Sequence, residues 1–273
     1  MKLKGRQSRT GKRGLLASRD SYLTFATYVI SIIIVFGVWQ VAAQLYDSSI
    51  LFPPPTAVGP TFGGLLQDGT ILSASIWSVG RILAGFLCGS LIGAVLGLLI
   101  GTSATIRAAL EPYVNFFRFI PVFAWFGPVI LWFGSTEFSR VLLITYATLF
   151  VVAINTIAGV AEIAPNAVRM ARSFGASGPQ VFIRISVPGT MPYILTGLRL
   201  GLGNSFMTVV AAEFLQSDNG LGYLLSLYQT LFDMPAIFAI ILCLGILGFA
   251  ADRIYILVAS AAGGRYLPTG RMQ

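Results

Sequence analysis

The sequence predicts an all-α integral membrane protein of six transmembrane helices with both termini in the cytoplasm, and three observations carry that reading. Its 273 residues are 56% hydrophobic and 10% charged, whereas a soluble domain spends about 25% of its residues on charge to cover its surface. Mean hydropathy is +0.81. The charges are segregated, leaving charge-free runs of the roughly 20 residues that one spanning helix needs. This composition excludes disorder, a disulfide scaffold and a secreted soluble enzyme. Cys88 and Cys243 sit inside apolar runs and read as free small hydrophobes. The chain has no histidine, so the commonest metal ligand and general base is missing.

The first span, 21–46, follows a basic tail over residues 1–20 and is not followed by a small-residue cleavage site, so it reads as an anchored helix and not as a removed signal. The second, 82–106, carries Gly85, Gly89, Gly93, Gly97 and Gly101; this four-residue ladder puts small residues on one face and lets another helix approach closely. A helix over 70–85 leads into it. Further spans fit 113–134, 140–159, 193–214 and 235–258. Together, residues 21–260 form the transmembrane domain and 261–273 a cytoplasmic tail.

Orientation follows from lysine and arginine. The amino-terminal tail holds Lys2, Lys4, Arg6, Arg9, Lys12, Arg13 and Arg19. Alternation then places inside Arg107, the group Arg169, Arg172 and Arg184, and the group Arg253, Arg265 and Arg271. The outer segments 47–70, 135–139 and 215–234 hold no lysine or arginine but carry Asp47, Asp68, Glu137, Asp218 and Asp233. The net charge of +8 is thus mostly topology, and the basic tail reads as a contact for anionic lipid, not nucleic acid.

Two connections are more than turns. The prolines of LFPPPTAVGP at 51–60 keep that segment out of helix. Between the fourth and fifth spans, the polar segment 161–192 is far longer than a helix hairpin needs, and such loops usually carry function. Pro165 or Asn166 starts a short helix, 167–174 propagates it, and Gly175 is a left-handed cap. Gly178-Pro179 turns the chain into a second piece, 181–187, which exposes Gln180 and Arg184 while Phe182, Ile183 and Ile185 pack inward; Pro188 and Pro192 end it. The helix, with Arg169 and Arg172, suits docking into a groove on a cytoplasmic partner.

The spacing Ala171…Gly175…Ile185-x-Val187-Pro188 resembles the signature of permease subunits of ATP-binding-cassette importers, E-A-A-x3-G-x9-I-x-L-P. Arg169 stands in place of the signature glutamate, Met170 in place of a frequent alanine and Val187 in place of leucine. FIPVFAWFGPVILWFGSTEFSR (119–140), GLRLGLGNSFMTVVAAEFLQSDNGLGYL (197–224) and IFAIILCLGILGFAAD (237–252) are similar to the permeases of the nitrate/sulfonate/taurine/bicarbonate type. The resemblance implies a type I ABC importer permease fold in the plasma membrane, acting as a homodimer. It implies a coupling element containing Arg169, Ala171, Arg172, Gly175, Ala176, Ile185 and Pro188 that meets two separate ATPase subunits, which bind the ATP and Mg. An extracytoplasmic solute-binding protein would deliver substrate to the outer loops near 215–234. No G-x4-G-K-[ST] phosphate loop occurs in the chain, so no cofactor is expected here.

Within the spans, Gly197, Gly201, Ser205, Thr208 and Ala212 fall near one helix face; the glycines read as packing residues, Ser205 and Thr208 as pore candidates. Ionisable groups at depth are functional candidates. Arg118 and Arg199 either snorkel to the inner headgroups or line the pathway; Arg81 reads as snorkelling outward. Glu213 either pairs with an arginine or touches the docking protein, and Asn204 is a further polar group at depth. The excess of arginine over carboxylate favours an anion such as nitrate, bicarbonate, an alkanesulfonate or taurine. Pro121 and Pro128 interrupt the third span. The rival readings are an ion-coupled carrier or channel working without ATP, for which no acidic residue lies clearly at mid-membrane, and an intramembrane enzyme, for which the chain offers no acid–base or metal constellation.

Overall fold

The computed structural model describes residues 8–45 and 51–263; Lys2, Lys4, Arg6, Asp47, Arg265 and Arg271 lie outside them. Among the described residues there is no strand. The helices are α1 (Ser8–Leu45), α2 (Pro55–Gln67), α3 (Thr70–Thr102), α4 (Ala104–Phe117), α5 (Phe126–Phe133), α6 (Glu137–Ala161), α7 (Pro165–Ser173), α8 (Gly178–Val181), α9 (Val187–Gln216), α10 (Leu221–Thr230) and α11 (Met234–Gly263). Five stretches are long and apolar enough to cross a membrane: Ala26–Leu45, Thr70–Thr102, Glu137–Ala161, Gly178–Phe214 and Met234–Ala261. The sixth is a bent pair, Ala104–Phe117 with Val122–Phe133, whose axes meet at 92°.

The third span is interrupted at Pro121, as the sequence suggested, but not at Pro128. Pro121 takes an extended conformation (φ −59°, ψ 141°) at the break, and a 3-10 turn, Val122–Trp125, leads into α5. Pro128 does not interrupt anything: it lies in the first turn of α5, where its missing N–H would have had no helical partner. Two other proline expectations are corrected in the same way. Segment 51–60 is partly helical, because Pro55 occupies the first position of α2 and Pro60 is accommodated inside it. Pro188 and Pro192 do not end the piece before the fifth span. A π turn at Phe182–Ser186, in which the Val187 N–H reaches the Phe182 carbonyl, absorbs the irregularity, and helix continues from Gly178 to Phe214.

The bundle is organised around α6, against which α3 and α9 both pack while also touching each other. All five glycines of the ladder face it. A methyl group built on Gly85 would sit 2.5 Å from Ile144 Cβ, on Gly89 2.6 Å from the Thr145 carbonyl, on Gly93 2.5 Å from the Leu149 carbonyl, on Gly97 2.5 Å from Thr156 Cβ and on Gly101 2.6 Å from Val160 Cβ. These distances are below any real carbon contact, so only glycine permits this approach of backbones. On an adjoining face of α6, Gly197 and Gly201 of α9 pack on Asn155 and Thr148, and Gly159 packs on Tyr193. The hydroxyls of Thr145, Thr148 and Thr156 donate back to the carbonyls four residues earlier, which satisfies them inside an apolar layer.

At the end of the bundle where α3 begins, Ile71, Ala74, Leu221, Leu224, Ile240 and Cys243 form a core joining α3, α10 and α11. There the Asp68 carboxylate accepts the Thr70 N–H at 2.9 Å, and hydrogen bonds from the backbone and side chain of Thr70 hold its pKa below the ordinary value. At the opposite end the Arg107 guanidinium donates to the carbonyls of Ile100 and Gly101 at 3.3 and 2.6 Å, capping the negative end of α3. A second cluster, Phe126, Val129, Leu143 and Ala212, holds α5 against α6 and α9. Helix α1 is attached by Trp39, whose Nε1 donates to the Pro53 carbonyl at 3.1 Å and whose ring lies 5.6 Å from that of Phe238. The exposed Ile32, Ile33, Ile34 and Val35 of α1 make sense only against lipid.

Helix α10 ends in a Schellman motif built on the wrong residue. Phe232 N–H bonds the Gln229 carbonyl and Asp233 N–H the Tyr228 carbonyl, which puts Phe232 at φ +56° with its ring 76% exposed. Glycine normally fills that left-handed position.

Two measurements test these packing arguments. Gly93→Leu should lower stability by about 1–3 kcal/mol through overpacking, whereas Gly245→Leu, where nothing lies within 4 Å of the added carbon, should leave the thermal midpoint in detergent nearly unchanged. Phe232→Gly should raise the midpoint, because a left-handed non-glycine residue costs about 1–2 kcal/mol.

Candidate functional site

Three regions carry the polar and ionisable groups the sequence singled out. The first is a cavity of about 480 Å³ in the crook of the bent α4–α5 pair. Arg118 caps the C-terminus of α4 at its mouth, with its guanidinium carbon 4.7 Å from the centre of the Phe119 ring. Tyr146 and Phe150 of α6 and Asn204 and Thr208 of α9 form the facing wall. Asn204 Nδ2 donates to the Ala147 carbonyl at 2.9 Å, which ties α9 to α6 at this level. The Thr208 hydroxyl donates to the Asn204 carbonyl at 2.9 Å, and the Tyr146 hydroxyl to the Phe117 carbonyl at 2.7 Å. Thus Arg118 at the end of α4 and Asn204 and Thr208 of α9 are brought to one cavity.

The remaining sequence candidates are placed elsewhere. Ser205 is buried between helices, where its hydroxyl pairs with that of Thr148 at 2.9 Å; it is a packing group. Arg199 neither snorkels alone nor reaches the cavity, because Asp252 of α11 holds it through two bonds of 2.6 and 2.9 Å. Sequence reasoning missed Asp252 as a partner, and it missed Tyr146 and Phe150. Their four-residue spacing on one face of α6, with rings 5.0 Å apart, was the available signal.

Glu213 lies at the α3-start end, wholly buried, in the second region. Its Oε1 accepts from Arg81 at 2.7 Å and its Oε2 from Ser78 at 2.7 Å and from the Gly222 N–H at 3.0 Å. Arg81, expected to snorkel outward, is instead 3% exposed: its fork also grips Glu137 through two bonds of 2.6 Å and contacts the backbone and side chain of Asn219. Arg140 donates to the same Glu137 at 2.6 Å. Burial of a guanidinium between two carboxylates is tolerable because nearly every charged atom is hydrogen-bonded. The network ties α3, α6 and α9 to the 217–222 loop. A side chain at Gly220 (φ +107°) would overlap the Glu213 carboxylate, which explains the glycine there.

The third region is α7 and the segment after it. Ala176 N–H bonds the Ala171 carbonyl at 3.0 Å and Gly175 N–H the Arg172 carbonyl at 2.9 Å, with Gly175 at φ +81°; this is a complete Schellman motif. The Ser177 N–H then donates to Gln180 Oε1 at 2.8 Å, starting α8. Arg169 and Arg172 are exposed, Arg169 bonding Asn166 at 2.9 Å, while Ile185 and Pro188 are half-buried where the π turn enters α9. Ile183, expected to pack inward, points out instead, because the wider π turn rotates it away from the bundle. Met170 and Phe174, the latter 91% exposed, are likewise open apolar side chains.

The two ion pairs differ in burial and should differ in weight. Glu213→Ala should destabilise the bundle by about 1–3 kcal/mol, since it leaves buried donors of Arg81, Ser78 and Gly222 without their acceptor while Glu137 still pairs Arg81, whereas Asp252→Ala, in a half-exposed pair, should cost under about 1 kcal/mol. Thermal unfolding of the purified variants measures both.

Comparison with known proteins places this architecture. The chain matches the family of binding-protein-dependent transport system inner membrane components over residues 85–262. It is 32% identical over 219 residues to the taurine transport system permease protein TauC of Escherichia coli, covering 78% of this chain and 80% of that one. With the nitrate import permease protein NrtB of Synechococcus elongatus it shares 28% identity over 243 residues, 84% of this chain and 87% of the other. Its fold is similar to that of a chain of the inward-facing MetNI methionine ABC transporter, with TM-score 0.57 and 19% identity over 67% of this chain and 93% of that chain. These likenesses favour ATP-driven import over an ion-coupled carrier. The chain belongs to the family of binding-protein-dependent transport system inner membrane components: it is a multi-pass, type I permease subunit of an ABC importer, whose ATPase is a separate chain.

Proposed function

We propose that segment 161–192 is the coupling element of this permease, that its end of the bundle and both termini face the cytoplasm, and that the cavity at the α4–α5 bend lies on the substrate pathway. The observation that carries the reading is α7 itself. It has no buried residue, is fixed by a glycine-terminated cap, and displays Met170 with Arg169 and Arg172, while Phe174 in the cap and Ile183 and Arg184 in the following π turn are also exposed. Open apolar and basic side chains on and beside a short rigid helix suit a groove on a partner. Arg107 and the α7–α8 arginines collect toward this end, while the opposite end exposes Asp68 and Asp218, in keeping with the positive-inside rule.

In this reading two permease copies pair, two ATPase subunits receive their coupling elements, and those subunits bind the ATP and Mg. Ala171, Gly175 and Ala176 shape the helix end; Ile185 and Pro188 join it to α9; Arg169 and Arg172 contact the ATPase. A solute-binding protein outside delivers a small anion or sulfonate-like solute near 215–234, and Arg118, Asn204 and Thr208 meet it along the pathway.

Gly175→Val tests the assignment. A β-branched residue at φ +81° carries about 1–2 kcal/mol of strain and should distort the cap, so that ATP hydrolysis in proteoliposomes no longer drives uptake while the spans stay folded. Normal substrate-stimulated ATPase with normal uptake in that variant would remove coupling from this segment.

A further inference from the structure

The cavity at the α4–α5 bend has a composition that narrows what it can hold. Arg118 is the only charged residue among those lining it, and among the described residues no carboxylate pairs with Arg118. The other donors are largely committed: the Tyr146 and Thr208 hydroxyls and one Asn204 N–H are given to backbone carbonyls. What remains for a ligand is the Arg118 guanidinium and a second Asn204 N–H, set among apolar lining that includes Phe119, Phe150, Val151 and Ile154. The space is about 480 Å³, within the roughly 300–1,000 Å³ that holds organic ligands of many atoms.

We infer that this cavity takes an organic monoanion, a sulfonate or carboxylate carried on a hydrocarbon body of aromatic size, in preference to an inorganic oxyanion or a zwitterion. A single guanidinium satisfies one oxyanion group bidentately. An inorganic anion as small as nitrate would leave most of the apolar lining uncovered and would exchange its hydration for one arginine. A zwitterion such as taurine would bring an ammonium group that Arg118 repels and that no carboxylate in the lining offsets, so its desolvation would go uncompensated. A hydrocarbon body instead removes the rings and branched side chains from water, and the paired Tyr146 and Phe150 rings offer an edge and a face to a planar one.

The inference rests on the cavity belonging to the pathway proposed above, and binding is measured separately from transport. Full-length permease, assembled with its ATPase in nanodiscs and without the binding protein, is titrated with benzenesulfonate, with its neutral counterpart benzenesulfonamide, with taurine and with nitrate. Benzenesulfonate should bind about tenfold or more tightly than each of the others, and Arg118→Gln should cost it about tenfold, the weight of a charge-assisted hydrogen bond, with an unchanged thermal midpoint. Phe150→Ala should weaken benzenesulfonate and leave nitrate unaffected. Equal or tighter binding of taurine or nitrate, no binding of any probe, or benzenesulfonate affinity unaltered in a folded Arg118→Gln overturns the inference. The wild-type rank order decides even if a variant fails to fold. Absence of ATP-driven uptake by the complete transporter, by contrast, would remove the pathway reading and is observed in a different assay.

Discussion

Close backbone contact between α6 and its two neighbours is the constraint from which the rest of the structure follows. In lipid, apolar side chains gain little by meeting one another, because the hydrocarbon tails are equally apolar, so helices associate through dispersion at short range and through polar groups that need partners. Five glycines on α3 bring it to a distance from α6 at which no other residue fits, and Gly197 and Gly201 of α9 make a close but less extreme approach. The threonines of α6 could sit in that interface because they return their hydroxyls to their own helix. With the three helices fixed, Arg81 comes within reach of Glu137 and Glu213 at one end, and Asn204 within reach of Ala147 at mid-depth. The cavity is the space left where the bent α4–α5 pair cannot follow the straight helices.

Much of this was legible in the sequence, for identifiable reasons. The spans announced themselves by hydropathy, and the glycine ladder by its four-residue period, which is a local property of one helix. Gly175 was readable as a cap because the left-handed position has a strong residue preference. What was not legible depended on a second element. Arg81 looks like a snorkelling arginine until Glu213, far away in sequence, is seen beneath it. Arg199 looks unpaired until Asp252, on another helix, is seen to hold it.

The prolines misled in a consistent direction. Of the prolines read as helix breakers, Pro53, Pro54 and Pro121 lie outside helix, but the others do not break one. Pro55 and Pro128 sit in first turns where no hydrogen bond is lost, and Pro188 and Pro192 follow a π turn that had already shifted the bonding pattern. Whether a proline breaks a helix depends on the carbonyl it deprives, and that carbonyl is specified by the surrounding fold.

The absence of any loop between α8 and α9 has a mechanical consequence. A hinge there would let the two ends of the 37-residue stretch from Gly178 to Phe214 move independently. Without one, the stretch behaves as a shaft about 55 Å long at 1.5 Å per residue. A tilt applied beside Gln180 is then carried along continuous helix toward Asn204 and Thr208, with the π turn and Pro192 as the places where that helix bends most easily.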